Sequence, residues 1–378
     1  MTSTPTADTR TRVGVLFGGP SAEHEVSCAS ALGVVRALTG DRYLPAAIGV
    51  TRDGGFRLVP DDVLATLRDQ DAPSRAIDDH LDVVGPDVEL RRGAERGRLV
   101  VSPVDDPGTV LAELDVVFPL LHGPFGEDGV IQGFLETLGV PYVGCGIAAS
   151  AVGMDKVAMK RAFLAEDVPI TPHVWFDEER WRAHRDPESL VATLERPLFV
   201  KPANMGSSIG ISRVGDGDDL VAAVETAFKH DAVVLVEQGV TGREIECAVL
   251  GGFTPAASVV GEVTVTGGWF DYDQKYFGDA DPMIVPADLP AEVTALVREL
   301  SVAAFRAIGG WGLARADFLY DEAAGRLYVN ELNTMPGFTA HSMYPKVWAA
   351  AGLGYADLIA RLVDLAFERH AVRQRTAR

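Results

Sequence analysis

The chain has 378 residues, 47% of them hydrophobic and 23% charged, enough length and apolar content for two or three domains with cores of their own. Its 34 basic against 54 acidic residues leave a formal charge of -20, which repels polyanions and sets aside nucleic acid and anionic membrane as partners. Any phosphate it binds must be held by a local basic pocket. Cys28, Cys145 and Cys247 are far apart with no Cys-x-x-Cys, a pattern that predicts inert thiols in a reducing cytoplasm.

Residues 1–12 read as a disordered tail without a signal-peptide core. An apolar strand from Arg12 to Phe17 stops at Gly18-Gly19-Pro20, and a helical pattern follows from Glu25 to Leu38; this is the opening βα unit of an open α/β domain predicted over 13–145. Further strands are expected at 45–50 and 114–121. Residues 60–106 between them, polar and weakly periodic, predict an insertion or mobile excursion. The uncharged stretch 137–154 reaches membrane length, but its glycines and Pro141 break any spanning helix.

From Met154 the pattern changes. A helix at 155–166 precedes strands at 171–176, 198–201 and 209–214, the last two forming a hairpin suited to clasping a ligand, within a central unit predicted over 146–240. Strands at 233–237, 243–250 and 256–265, a helix at 290–308 and two strands ending at Phe318 and Glu331 follow, so that mixed sheets dominate this half and a last unit spans 241–378. The aromatic and charged run from Trp269 to Gly278 predicts a lid over 266–282; a satellite hydrophobic cluster is the plainer alternative.

Asp317, Glu331 and Asn333 fall at strand ends, where residues two apart share a face, so Arg315 projects with Asp317 and Glu331 with Asn333. Two carboxylates and an amide oxygen, without His or Cys, are the hard ligands magnesium takes while leaving positions for phosphate oxygens; an acidic sheet edge closed by a turn is equally compatible with these residues. The loop from Lys201 to Gly210 offers a lysine, free backbone N–H groups, Ser207 and Ser208, which can wrap phosphate or form an ordinary hairpin. It is not a Walker A loop. Gly18 to Ser27 sits where the first strand hands over to a helix, and Glu23 there can meet a substrate ammonium or only favour the helix dipole. His122, after the third strand, can bind substrate or satisfy backbone groups. His184-Arg-Asp186 and Asp317-Phe-Leu319 imitate kinase motifs, but Val191 stands where the catalytic-loop Asn is required.

Taken in order, seven segments resemble the D-alanine–D-alanine ligases of the ATP-grasp superfamily: 18–27, 122–129, Met154-Asp155-Lys156, 201–208, Asp273 to Tyr276, Arg315-Ala316-Asp317, and Glu331 to Gly337. The resemblance implies an N-terminal α/β domain followed by a two-part ATP-grasp fold with mixed and antiparallel sheets. It implies that ATP and D-alanine are bound, with Lys156, Lys201 and Lys275 on the phosphates, Ser207 and Ser208 closing over them, and Glu237 and Glu244 flanking the adenosine. Asp317, Glu331 and Asn333 would hold two magnesium (or manganese) ions, and Glu23 the first D-alanine's ammonium. Ser342 and the backbone near Met343 would dock the second carboxylate, with His122 in the substrate pocket and Arg315 with the Gly337 N–H on the oxyanion. Tyr276 would tie the lid to Ser207 and Glu23, favouring D-alanine over D-lactate. The resemblance further implies peptidoglycan precursor synthesis and a homodimer, for which the apolar helix from Cys28 to Leu38 offers a face. A ligase for other acids and amines, such as one making D-alanyl-D-serine or D-alanyl-D-lactate, and a catalytically silent nucleotide-binding regulator are the competing readings.

Overall fold

The structure is a computed structural model and describes residues 8–68, 80–95, 97–184, 186–206, 209–264 and 282–376. The N-terminal sheet is built from β1 (Thr11–Gly18), β2 (Tyr43–Val50), β3 (Phe56–Leu58), β4 (Asp87–Arg92), β5 (Leu99–Pro103), β6 (Ala112–Leu114) and β7 (Val116–Pro119), in the order β6-β5-β4-β3-β2-β1-β7. β1 pairs in parallel with β2 and β7, and its residues from Val13 onward are buried, as continuous apolar strands in a parallel sheet require. The remaining neighbours run antiparallel. The mixed sheet therefore lies in the N-terminal half, not the C-terminal half where the sequence suggested it.

Residues 60–106 are more than an excursion: their described part supplies α2 (Asp61–Arg68), β4 and β5, which return as hairpins and extend the sheet. The expected strand 114–121 is broken at Asp115, whose carboxylate accepts the Arg12 N–H. α1 (His24–Ala37) follows β1. The apolar side of α1, including Cys28, Leu32, Val34 and Val35, is buried within the chain beside Leu358 and Leu362. That packing removes the face expected to join two copies, because the apolar side that suggested an interface is already used internally.

α3 (Val130–Leu138), α4 (Ile147–Met154) and α5 (Lys156–Ala165) lead into the second sheet, of order β10-β9-β11-β8, made by β8 (His173–Asp177), β9 (Leu198–Pro202), β10 (Ser212–Val214) and β11 (Val233–Gln238). Short α6 (Glu178–Ala183) and α7 (Pro187–Leu190) and then α8 (Leu220–Ala227) complete this unit, with Phe176, Trp181 and Val224 in its core. The third sheet, β14-β13-β12-β15-β16, contains β12 (Arg243–Gly251), β13 (Ala256–Val263), β14 (Met283–Ile284), β15 (Gly312–Asp321) and β16 (Arg326–Asn333). Among the described residues the named strands of these two sheets pair antiparallel, with one isolated parallel bridge from Ile170 to Val329. α9 (Ala291–Ala307) packs on the third sheet, and α10 (Met343–Ala350) and α11 (Tyr355–Thr376) close the chain, sharing one core with α1, β1 and β2. No helix of the described residues is long and apolar enough to cross a membrane.

Candidate active site

Three neighbouring strands of the third sheet place carboxylates in one cross-strand row: Glu246 on β12 pairs with Asp317 on β15, and Asp317 with Glu331 on β16. Like charges directly opposite destabilise a sheet, so such a row calls for a cation. Arg315 supplies one. Its Nε and Nη2 fork onto Asp317 Oδ1 and Oδ2 at 2.6 and 2.7 Å, and Nε lies 3.0 Å from Glu246. Burial opposes the guanidinium charge, but Asp317 and Glu246 outweigh it and hold Arg315 firmly protonated. Asn333, paired with Arg315 across the strands, donates Nδ2 to Asp317 Oδ2 at 2.8 Å.

Asp317 lies in the middle of β15, not at a strand end as expected, opposite Glu331 of β16, and Asn333 closes β16; the oxygen donors of the three fit magnesium. Among the described residues no three carboxylate, His or Cys groups converge into a self-sufficient metal cage. Two carboxylates and an amide suit an ion that shares its shell with phosphate oxygens.

The second sheet and α5 bring lysines close by. Lys201, on β9, lies in an ion pair with Glu237 of β11 and reaches Asn330 Oδ1 of β16 at 3.3 Å, joining the two sheets. Lys160 meets the other Glu237 oxygen at 2.5 Å, and the Thr171 hydroxyl donates to that same oxygen at 3.1 Å. Lys156 donates to the Met205 carbonyl at 2.6 Å, in the loop that follows Lys201. Its helix is started by Asp155, whose Oδ1 accepts from the Val157 and Ala158 N–H groups at 2.9 Å. Burial lowers Lys156 and Lys160, whereas Glu237 more than offsets burial at Lys201 and raises it. Glu237 is itself drawn below the usual carboxylate range, the two lysines outweighing its burial. Its carboxylate, 3% exposed, is thus committed to lysines rather than presented to an adenosine.

The N-terminal domain contributes two loops. Glu23 precedes α1 but makes no side-chain cap bond there. A Cβ on Gly123 would stand 2.8 Å from Glu23 Oε2, and one on Gly206 3.4 Å away, so this carboxylate lies between the His122 loop and the loop after Lys201. Gly123 has φ +70°, a left-handed conformation suited to glycine. His122 is buried, with Nδ1 2.9 Å from the Met335 carbonyl, and burial first of all lowers its pKa. Glu127 accepts the N–H groups of Gly123 at 2.8 Å and Met335 at 3.1 Å; burial, reinforced by Glu23, pushes it up to about 8. His122 and Glu127 together grip the turn that carries Gly337.

A Cβ on Gly337 would lie 3.2 Å from Ser342 Oγ, and Ser342 precedes α10 while bonding Thr339. Met343 is 2% exposed, its thioether packed over Gly261, so only its backbone can meet a carboxylate. Glu244 on β12 contributes to the charge around Lys201. Ser207, Ser208, Lys275 and Tyr276, and the expected lid except its last residue, lie outside the described residues.

Sequence reasoning passed over Lys160, Glu127 and Glu246. Lys160 is four residues from Lys156, hence on the same helix face, and Glu246 is two from Glu244 on one strand, so both were within reach of simple periodicity. Glu127's grip on Met335 is a long-range contact that no local pattern encodes.

Two antiparallel sheets, with a lysine of one reaching a strand of the other, fit the two-part fold of the ATP-grasp ligases that the sequence resembles. One family profile, described as D-ala D-ala ligase N-terminus, matches residues 12–145, and another, D-ala D-ala ligase C-terminus, matches residues 163–364. A D-alanine–D-alanine ligase from Pseudarthrobacter chlorophenolicus is 45% identical over 379 residues, covering 97% of this chain and 96% of its own. One from Heliobacterium modesticaldum is 42% identical, covering 97% of each chain. Among solved structures, the D-alanine–D-alanine ligase from Coxiella burnetii superposes with a TM-score of 0.81 at 31% identity, covering 97% of both chains. A D-Ala:D-Ser ligase from Enterococcus faecalis gives 0.78 at 32%, covering 94% of this chain and 99% of that one. The chain belongs to the D-alanine–D-alanine ligase family.

Proposed function

We propose that the protein joins two D-alanines at the expense of ATP, forming D-alanyl-D-alanine, ADP and phosphate through a D-alanyl phosphate, for peptidoglycan precursor synthesis. The observation that carries this reading is the position of Glu23. An ammonium acceptor set between Gly123 and Gly206 holds an amino acid against the loop that follows a phosphate-binding lysine. Family membership over nearly the whole chain supports the same substrates.

Lys156, Lys201 and Lys275 bind phosphate oxygens as substrate ATP enters, Ser207 and Ser208 close over them, and Glu244 flanks the adenosine. Asp317, Glu331 and Asn333 would hold the divalent metal, proposed as two magnesium or manganese ions, which would supply neutralisation of phosphate charge. With its ammonium on Glu23, the first D-alanine presents its carboxylate, one oxygen of which attacks the γ-phosphorus as ADP leaves. The second D-alanine's neutral amine then attacks the carbonyl carbon, phosphate departs, and the amine proton is lost. Arg315 and the Gly337 N–H, fixed beforehand by Asp317 and by the Met335 turn, stabilise the oxyanion of that step. Ser342 and the first N–H groups of α10 dock the second carboxylate, beside His122. Tyr276 completes the enclosure by meeting Glu23 and Ser207, which excludes water.

Three buried free cysteines suit the proposed cytoplasmic location. The proposed homodimer uses a surface other than the apolar side of α1. A coupled assay of ADP release tests the function. D-alanine should be required and D-alanyl-D-alanine should accumulate; ADP release indifferent to D-alanine would overturn it.

A further inference from the structure

Lys160 touches no position proposed for substrate, yet it is 1% exposed and sits at the centre of the lysine cluster. A buried ammonium is costly unless paired, and burial disfavours its charge. Its partner is Glu237, whose two oxygens are divided: Oε1 takes Lys160 at 2.5 Å and the Thr171 hydroxyl at 3.1 Å, while Oε2 takes Lys201. Thr171 in turn accepts from Lys160 at 3.2 Å, closing a ring of three groups on one side of the carboxylate. One negative charge is thus shared by two lysines, with Lys156 a third cation one helical turn from Lys160.

We propose that Lys160 is a positioning residue for nucleotide binding: by taking half of Glu237, it keeps Lys201 from being neutralised and leaves the pocket with a positive charge that Glu237 does not balance until a polyphosphate enters. This rests on the proposed function above. Without Lys160, Glu237 and Lys201 would form a self-sufficient one-to-one pair, and drawing Lys201 onto phosphate would mean breaking it. With Lys160 present, Glu237 stays compensated when Lys201 turns to the phosphate. The spare cation is buried in a low dielectric, where its pull on an anion is strongest.

The test compares full-length wild type, K160M, K160R and the double variant K160M/E237Q by isothermal titration with ADP and magnesium, alongside steady-state KM for D-alanine. Wild-type turnover of ATP with D-alanine is checked first, since its absence would sink the functional reading rather than this one. K160M should bind ADP at least tenfold more weakly while the KM for D-alanine moves less than twofold. K160R should recover most of the affinity. Removing the Glu237 charge in the K160M background should restore at least a third of the lost affinity, because Lys201 is released again. Wild-type ADP affinity in K160M, equal losses for ADP and D-alanine, or a double variant worse than K160M would overturn the proposal. Should K160M not accumulate as folded protein, T171V, which removes only the bridging hydroxyl, should weaken ADP binding two- to threefold and spare D-alanine; no change would overturn it equally.

Discussion

Replacing Arg315 by alanine separates the two tasks the structure gives this side chain. The guanidinium stands between Asp317 and Glu246, and the three side chains are 17, 15 and 14% exposed, so its removal leaves two largely buried carboxylates in one row without their counter-ion. Breaking a fully buried pair costs about 3–5 kcal/mol. The residual exposure here brings the cost below that range, to about 2–3 kcal/mol, or a melting temperature lower by roughly 2–4 °C for a chain of this size. The stranded carboxylates are oxygen ligands, so magnesium should restore part of the loss in R315A and do less for wild type. ADP formation should also fall by about two to three orders of magnitude, as for loss of an oxyanion donor. Differential scanning fluorimetry in EDTA and in magnesium, beside the coupled assay, reads both effects. An R315A protein that melts with wild type in EDTA, ignores magnesium or keeps full turnover would refute this view of the carboxylate row.

Glu127 makes a pH-dependent prediction. Its folded pKa of about 8 lies above the ordinary carboxylate value, so the protein gains stability from its protonation below about pH 4.5 and loses it as pH rises through about 8. E127Q removes that dependence: in paired thermal melts its advantage over wild type should grow by about 2 kcal/mol between pH 6 and 8, and a constant difference would count against the assignment. G123A forces an alanine to φ +70° and sets a methyl 2.8 Å from Glu23 Oε2. Strain of about 1–2 kcal/mol should accompany at least a tenfold rise in KM for D-alanine, with ADP affinity unchanged in titration.

Much of this site is local in character and could be read from spacing alone. Arg315 with Asp317, and Glu331 with Asn333, follow from the two-residue period of a strand, and the fork and the amide contact join three of those residues as that period requires. The lysine, glycine and carboxylate segments follow their strands closely enough for the order of motifs to carry the fold class. Three things escaped because they depend on tertiary packing. The apolar side of α1 looks like an interface until α11, more than 300 residues later, is laid against it. Residues 60–106 alternate weakly because β4 and β5 pair mainly with each other and with short strands at one side of the sheet. The family resemblance puts Glu237 beside the adenosine, whereas Lys160 and Lys201 converge on it from separate elements.

Transfer of oxygen from the acid to phosphate tests the acyl-phosphate account most directly. D-alanine labelled with oxygen-18 in its carboxylate is turned over with ATP and magnesium, and the inorganic phosphate is analysed by mass spectrometry. Each phosphate released should carry one labelled oxygen, because the carboxylate attacks phosphorus and the amine displaces the phosphate with that oxygen attached. Unlabelled phosphate formed together with dipeptide would contradict the mechanism built on Glu23, Arg315 and the two lysines.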